Sequence, residues 1–402
     1  MSSGGRHQMH IAYFNIPAVG HVYPTLGAVA ELARRGHRVS YTSIDRRAAT
    51  IEAHGASVVR YRSTRPADGD PGIQAPDPTG YLSESLLGFL TEAEVTLAQL
   101  EPVFLADPPD LVVFDRMAFA GRIFAAKLGL PTVQSWAVLV SNEHWSLGQL
   151  MAPSALDDPG FAEYLERLDA FLTGHGLSMT PEEFLSPGML RDVAYFPRAF
   201  QYRGDVFGDH YCFAGPYIRR RPDTGAGWVP PAGARPVVMV TLGTIYNRDL
   251  DFYRTCFAAF ADSPWHVVIA VGERVEPADL GPAPANVEVH QVVPQLDVLA
   301  HATVFVSHAG MGGIMEALHF GVPIVGVPHT LEQEANAARL AELGIGVRIP
   351  GAELTAMRLR EAVDLVAKDQ AMAQRIRWMQ HEIRAAGGPA RAADAIEACL
   401  PR

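Results

Sequence analysis

Short β-branched runs recur along this chain with helical stretches between them. This alternation constrains the fold more than any other feature. In the first half the runs are residues 10–15, 37–42, 57–61, 110–115 and 131–135. They are nearly continuous apolar segments rather than polar–apolar alternations, the pattern of parallel strands buried on both faces. Parallel neighbours need a crossover, so repeated strand–helix–strand units predict doubly wound α/β sheets. The spacing predicts helices over 25–35, with Gly36 as a C-terminal stop, and over 82–105 and 119–128.

Residues 215–236 interrupt the pattern with five prolines (Pro216, Pro222, Pro230, Pro231, Pro236) and four glycines (Gly215, Gly225, Gly227, Gly233), and read as a linker. Beyond it the alternation resumes. Strands are expected at 237–242, 266–271, 287–293, 303–307 and 324–327, with helices at 332–342, 355–367 and 371–385 before a break at Gly387-Gly388-Pro389. The prediction is therefore an α/β chain of two Rossmann-like domains with an interdomain cleft. The first would span 1–218, joined by a C-terminal helix at 389–402, and the second 219–388. With 48% apolar and 19% charged residues, a chain of 402 residues has material for two cores.

Composition also narrows the partners. The 33 basic and 44 acidic residues give a formal charge of −11, which disfavours nucleic acid and anionic membranes as partners. The cysteines, Cys212, Cys256 and Cys399, are odd in number and far apart, which argues against a disulfide framework or structural zinc. Residues 1–8 are polar and do not read as a signal peptide, and no run approaches the ~20 apolar residues of a membrane helix. A cytoplasmic protein, monomer or homodimer, is expected.

In open α/β sheets ligands bind beyond the carboxyl ends of the strands. The loops there hold the densest signal, between Val292 and Asn336. A strand is expected to end at Ser307. A glycine-rich turn, His308 to Gly313, then leads into a helix starting near Ile314. A helix N-terminus offers unpaired N–H groups and the positive end of a dipole, and glycines let a phosphate approach the backbone. His308 adds a side-chain donor, and Glu316, one turn on, can accept from vicinal hydroxyls. Glu332 and Gln333 open the helix after the next strand and suit sugar hydroxyls. A blander reading gives Gly310, Gly312 and Gly313 a packing role and leaves Glu316 solvated.

The ordered set Val293-Pro-Gln295, His308-x-Gly-x-Gly-Gly-x-x-Glu316, Gly321-Val-Pro323 and Glu332-Gln-x-x-Asn-Ala337 resembles the donor-binding signature of inverting nucleotide-sugar glycosyltransferases of the GT-B fold, similar to bacterial macrolide and natural-product enzymes. The resemblance implies that Gln295 and the Val293 backbone meet the base and that Glu316 binds the ribose. It assigns the diphosphate to His308, Gly310, Gly312 and Gly313, with a further contact from Thr244, and the sugar hydroxyls to Glu332 and Gln333. Two positions depart from it. Many members carry an aromatic residue where this chain has Val292, and many carry Ser or Thr at Gly313.

The first half supplies a base. His21 lies in Gly20-His-Val-Tyr-Pro24, expected to be a loop beyond the first strand, and Asp115 ends the strand Asp110-Leu-Val-Val-Phe-Asp115. Imidazole titrates near neutrality and works better as a base when a carboxylate orients it. Both motifs match the family, implying His21 as base and Asp115 as its partner. Without that context His21 reads as a loop histidine and Asp115 as a helix cap. Trp136, Glu143, His144 and Trp145, with Leu150 and Met151, are candidates for an acceptor pocket. Asp68-Gly-Asp70 mimics a D-x-D metal motif, and Asp45 follows a strand as a nicotinamide-binding acid would, but neither context supports the role.

The expected activity is transfer of a hexose, UDP-glucose being the first donor and a dTDP-deoxysugar the alternative, to a hydroxyl of a bulky apolar macrolide, polyketide or phenolic. No prosthetic group and no metal is required on this reading. A nucleotide-sugar epimerase and a non-catalytic auxiliary protein on the same fold are the rival classes.

Overall fold

A computed structural model describes residues 8–65, 81–148, 159–186, 191–220, 227–233 and 235–401. The chain divides into two compact units, with boundaries at Tyr217/Ile218 and Ala385/Ala386. The sequence had suggested breaks after residues 218 and 388.

The first unit contains β1 (His10–Phe14), β2 (Arg38–Ser43), β3 (Ser57–Arg60), β4 (Leu111–Asp115), β5 (Thr132–Trp136), β6 (Arg191–Ala194) and β7 (Tyr211–Phe213). They form one parallel sheet in the order β3-β2-β1-β4-β5-β6-β7. Successive side chains of a strand point to opposite faces. Ile11, Tyr13, Leu111 and Val113 accordingly pack on one side, against Val22, Leu26, Val29 and Leu32 of the helix Val19–Arg34. Ala12, Phe14, Val112 and Phe114 pack on the other, against the helices Tyr81–Ala106 and Phe119–Leu128.

The last helix, Gly388–Glu397, completes the first of these faces. Gly387 takes φ +92°, a left-handed conformation suited to glycine, and Pro389 sits in the first turn that follows. Ala392, Ala393 and Ile396 are buried there, and burying an isoleucine contributes about 1.5–3 kcal/mol. Arg35 reinforces the seam, its Nη1 lying 2.6 Å from Asp394 and 2.7 Å from Glu397.

The second unit contains β8 (Val237–Thr241), β9 (His266–Ala270), β10 (Val287–His290), β11 (Ala302–Ser307), β12 (Ile324–Gly326) and β13 (Gly346–Arg348). They too form a parallel sheet, in the order β10-β9-β8-β11-β12-β13. In both sheets the first strand of the unit lies between the second and the fourth, so the winding reverses between β1 and β4 and between β8 and β11. Such switch points are where open α/β sheets place ligands.

Strands β6, β7 and β13 were not expected. They have four, three and three residues; β6 carries Arg191 and Asp192 and β13 ends in Arg348, whereas β7 is the short apolar run Tyr211-Cys-Phe213. Among the described residues no helix is long and apolar enough to cross a membrane.

Candidate active site and donor site

In the first unit the switch point brings together residues that are 94 positions apart. His21 lies in the first turn of the helix Val19–Arg34, not in a loop as expected. Pro24 lies inside this helix: it removes its own N–H bond and crowds the carbonyl four residues back, yet the helix runs through it. The ring Nδ1 of His21 is 2.8 Å from Oδ2 of Asp115, which is 1% exposed against 14% for the imidazole. Asp115 Oδ1 accepts from the Met117 backbone N–H at 2.9 Å. The carboxylate thus closes a local turn with Met117 and holds the imidazole, whereas the helix Phe119–Leu128 has Ala118 as its N-cap with no side-chain cap bond, so the contact of the partner reading is present and the helix-cap reading is not borne out.

Below the pair is a buried polar layer that the sequence did not flag. Asn15, at the end of β1, donates from Nδ2 to the His21 carbonyl at 3.0 Å and to the Tyr41 hydroxyl at 2.7 Å. The Thr25 hydroxyl lies 2.8 Å from that of Tyr41. With Nδ1–H donated to a carboxylate, Nε2 is the ring nitrogen that takes up a proton.

The segment beyond β5 carries the other first-unit candidates. Trp136 is 2% exposed and donates from Nε1 to Asp192 Oδ1 at 2.5 Å. An indole so enclosed packs the sheet rather than walling a pocket, which corrects its expected role. Trp145 stacks on Tyr202 with centroids 5.1 Å apart and is also buried. Glu143 and His144 are exposed, on a turn built by Asn142, whose Oδ1 accepts from the His144 and Trp145 backbone N–H groups. Asp45 opens the helix Asp45–Glu52 and pairs with Arg60 at 3.0 Å. Asp68, Asp70, Leu150 and Met151 lie outside the described residues.

In the second unit the loops after β8 and β11 build one corner. The helix after β11 spans Met311–Phe320 with Gly310 as N-cap, so it starts three residues earlier than expected. Gly312 and Gly313 therefore belong to its first turn, where the backbone N–H groups have no intrahelical partner. A Cβ on Gly312 would meet nothing within 4 Å, so the space in front of this turn is open.

His308 is clamped by two glycines. A Cβ on Gly243, which has φ +77°, would lie 2.5 Å from its Cε1, and one on Gly310 would strike Nε2. Burial, reinforced by nearby His329 and opposed by the Thr241 carbonyl, pushes the His308 imidazole down to about 4, so it is neutral at pH 7. Thr244, next to Gly243, is exposed.

The tightest turn residue is not a glycine. Ala309 has φ +60° and is fully buried. Its N–H donates to Ser307 Oγ at 3.1 Å and its carbonyl accepts from Asn336 Nδ2, also at 3.1 Å. Gln295, at the start of the helix Gln295–Leu299, donates from Nε2 to Glu316 Oε2, joining the two residues expected at base and ribose. Val293 is buried whereas Val292 is 47% exposed. Glu332 and Gln333 lie in the first turn of the helix Leu331–Glu342. Gln333 Oε1 accepts from the His329 N–H at 2.8 Å, which leaves its amide nitrogen as the group to offer a ligand.

Comparison with known proteins identifies the family. Residues 255–399 match the family described as erythromycin biosynthesis protein CIII-like, C-terminal domain. The chain is 38% identical over 393 residues to the NDP-glycosyltransferase YjiC of Bacillus licheniformis, covering 97% of this chain and 98% of that protein. It is 40% identical over 409 residues to the demethyllactenocin mycarosyltransferase of Streptomyces fradiae, covering 99% and 88%. The crystal structure of CalG4, the calicheamicin glycosyltransferase, matches with a TM-score of 0.86 at 38% identity, covering 99% of each chain. The chain belongs to the bacterial natural-product glycosyltransferases of the GT-B fold.

Proposed function

We propose that this glycosyltransferase inverts the anomeric centre as it moves a hexose, glucose from UDP-glucose in the first instance, to a hydroxyl of a bulky apolar natural product. The observation that carries the reading is the 2.8 Å contact between His21 Nδ1 and buried Asp115. Nε2 of His21 takes the proton of the acceptor hydroxyl as its oxygen attacks the anomeric carbon. The bond from that carbon to the diphosphate oxygen breaks, and the electron pair leaves with the nucleoside diphosphate. Charge developing on the diphosphate meets the first-turn N–H groups of Gly312 and Gly313, the helix dipole and His308, donors already in place before reaction. A neutral His308 offers one N–H without needing a counter-charge. These donors replace a divalent cation in the proposed mechanism.

The second unit would hold the donor, with Val293 and Gln295 at the base, Glu316 at the ribose, Gly310 and Thr244 beside the diphosphate, and Glu332 and Gln333 at the sugar. The first unit would hold the acceptor, with Glu143 and His144 as its exposed polar contacts. A dTDP-deoxysugar donor is the second reading. It is supported by the relative named as a mycarosyltransferase, while Val292, which gives the base no aromatic platform, bears on the choice between uridine and thymidine donors without favouring either. A cytoplasmic location goes with either donor.

Incubation with UDP-glucose or dTDP-glucose and a panel of macrolide, polyketide and phenolic aglycones tests the proposal. The expected result is product heavier by one hexose, with nucleoside diphosphate released in equal amount and the opposite anomeric configuration. Tight nucleotide binding with no product across the panel would favour an auxiliary protein. Conversion of the sugar without an acceptor would favour an epimerase.

A further inference from the structure

Asn336 touches both halves of the donor site assigned above without being assigned a role in either. It is fully buried, in the helix Leu331–Glu342. Its Nδ2 donates to the Ala309 carbonyl at 3.1 Å and to Glu332 Oε1 at 2.8 Å. A carbonyl and a carboxylate only accept, so the amide can face them only with its NH2 group. Its Oδ1 has no hydrogen-bond partner among the described residues. A buried acceptor left unpaired costs stability, so what this side chain supplies is its two donated bonds.

Both bonds end on functional elements. Ala309 sits at φ +60° between His308 and Gly310, and its carbonyl and N–H are held by Asn336 and Ser307 respectively. A non-glycine residue keeps such a conformation only where its surroundings over-determine it. The direction in which His308 and the helix N-terminus face a diphosphate follows from that turn. Glu332 is one helical turn before Asn336, so the two lie on one helix face, and the amide fixes where the sugar-facing carboxylate stands.

We propose that Asn336 is a positioning residue that ties the diphosphate turn to the sugar-binding carboxylate, so that occupancy of the two subsites is coupled. The inference rests on the donor assignment above. With the amide in place, a diphosphate that orders the Ala309 turn also orders Glu332, and the sugar finds its carboxylate prepared. Without it, each subsite must be ordered separately.

The test measures dissociation constants by calorimetry for UDP, dTDP and the glucose conjugate of each. It compares the unmodified protein with Asn336→Asp and Asn336→Ser. Asp places a carboxylate against two acceptors, whereas Ser removes the reach of the amide without adding charge. Both variants are expected to bind the bare nucleotides about 3- to 10-fold more weakly. Both are expected to lose about a further 5-fold for the glucose conjugates, the size of one ordinary hydrogen bond. In turnover, kcat/KM for the donor should fall while KM for the acceptor stays level.

A lesion that merely loosens the fold lowers affinity for nucleotide and conjugate equally. Equal losses would therefore overturn the proposal, as would no loss in either. Should Asn336→Asp not fold, the ratio in Asn336→Ser decides alone. If the unmodified protein binds none of the four ligands, the donor assignment falls and this inference with it. Normal binding there, with an unchanged ratio in the variants, overturns only the coupling.

Discussion

The His21 imidazole and the Asp115 carboxylate, 94 residues apart, meet at 2.8 Å beyond the ends of β1 and β4. If His21 is the base, His21→Ala should lower kcat by about 10²–10⁴-fold while the dissociation constant for UDP changes less than about twofold. Asp115→Asn keeps an acceptor for the Met117 N–H but removes the charge and releases the tautomer, and should cost about 10²-fold or more. Steady-state kinetics with nucleotide calorimetry check both. Transfer retained in His21→Ala would remove the assignment.

If the first turn of the helix Met311–Phe320 holds the diphosphate, Gly312 in that turn and Gly243 beside His308 should answer substitution in two different ways. A side chain on Gly312 would enter open space, so Gly312→Val should fold with little change in thermal midpoint and bind UDP at least about tenfold more weakly. Gly243→Ala should behave differently. Its left-handed φ and the clash with His308 should destabilise the protein by about 1–3 kcal/mol as well as weaken binding. Normal UDP binding in Gly312→Val would show that the phosphate sits elsewhere.

His308 makes stability depend on acid. Its imidazole is pushed down to about 4, against 6.5 for the unfolded group, chiefly by burial. Between those values the unfolded chain binds the proton and the native protein does not, so stability should fall as pH drops from 6.5 towards 4. His329, lowered chiefly by burial, acts in the same direction. Urea midpoints at pH 7 and pH 5 should differ less in His308→Asn than in the unmodified protein. An equal difference would show that His308 does not carry the effect.

Asp192 has the opposite sign. Burial pushes its carboxyl up to about 7, even with the Trp136 indole donating to it and Arg116 and Arg122 nearby. From pH 4 to 7 the native protein holds a proton that the unfolded chain has lost, so this group's contribution to stability declines as pH rises through that window. Asn keeps an acceptor for the indole. Asp192→Asn should therefore lose less stability than the unmodified protein between pH 5 and pH 8, as read from thermal midpoints.

If backbone donors and His308 stabilise the leaving diphosphate, transfer should continue in excess EDTA at about its original rate. A drop of tenfold or more, restored by magnesium or manganese, would place a cation in the mechanism.

Much of this was written locally. Continuous β-branched runs marked β1, β2, β4, β8 and β9, because a strand buried on both faces must be apolar throughout. Strands β6 and β13 were missed because polar residues, Arg191-Asp192 and Arg348, interrupt their short runs, and β7, Tyr211-Cys-Phe213, was missed although it is apolar. The start at Val19 was missed because residues 20–24 read as a loop beyond the first strand. The start at Met311 was missed because consecutive glycines read as a loop, although unpaired N–H groups at a helix N-terminus tolerate them.

Sequence alone determined which chemistry is present: a histidine after one strand, an acid at the end of another, and an ordered glycine-rich signature opening a helix. These are properties of neighbouring residues, and spacing along the chain carries them. Only the tertiary structure decided that Asp115 faces His21, that Asn15 bears on the His21 backbone, and that Asn336 joins Ala309 to Glu332. Except for the helical turn from Glu332 to Asn336 and the six residues from Asn15 to His21, those contacts span residues distant along the chain. Strand order and the turn of each loop create them, and no local pattern records either.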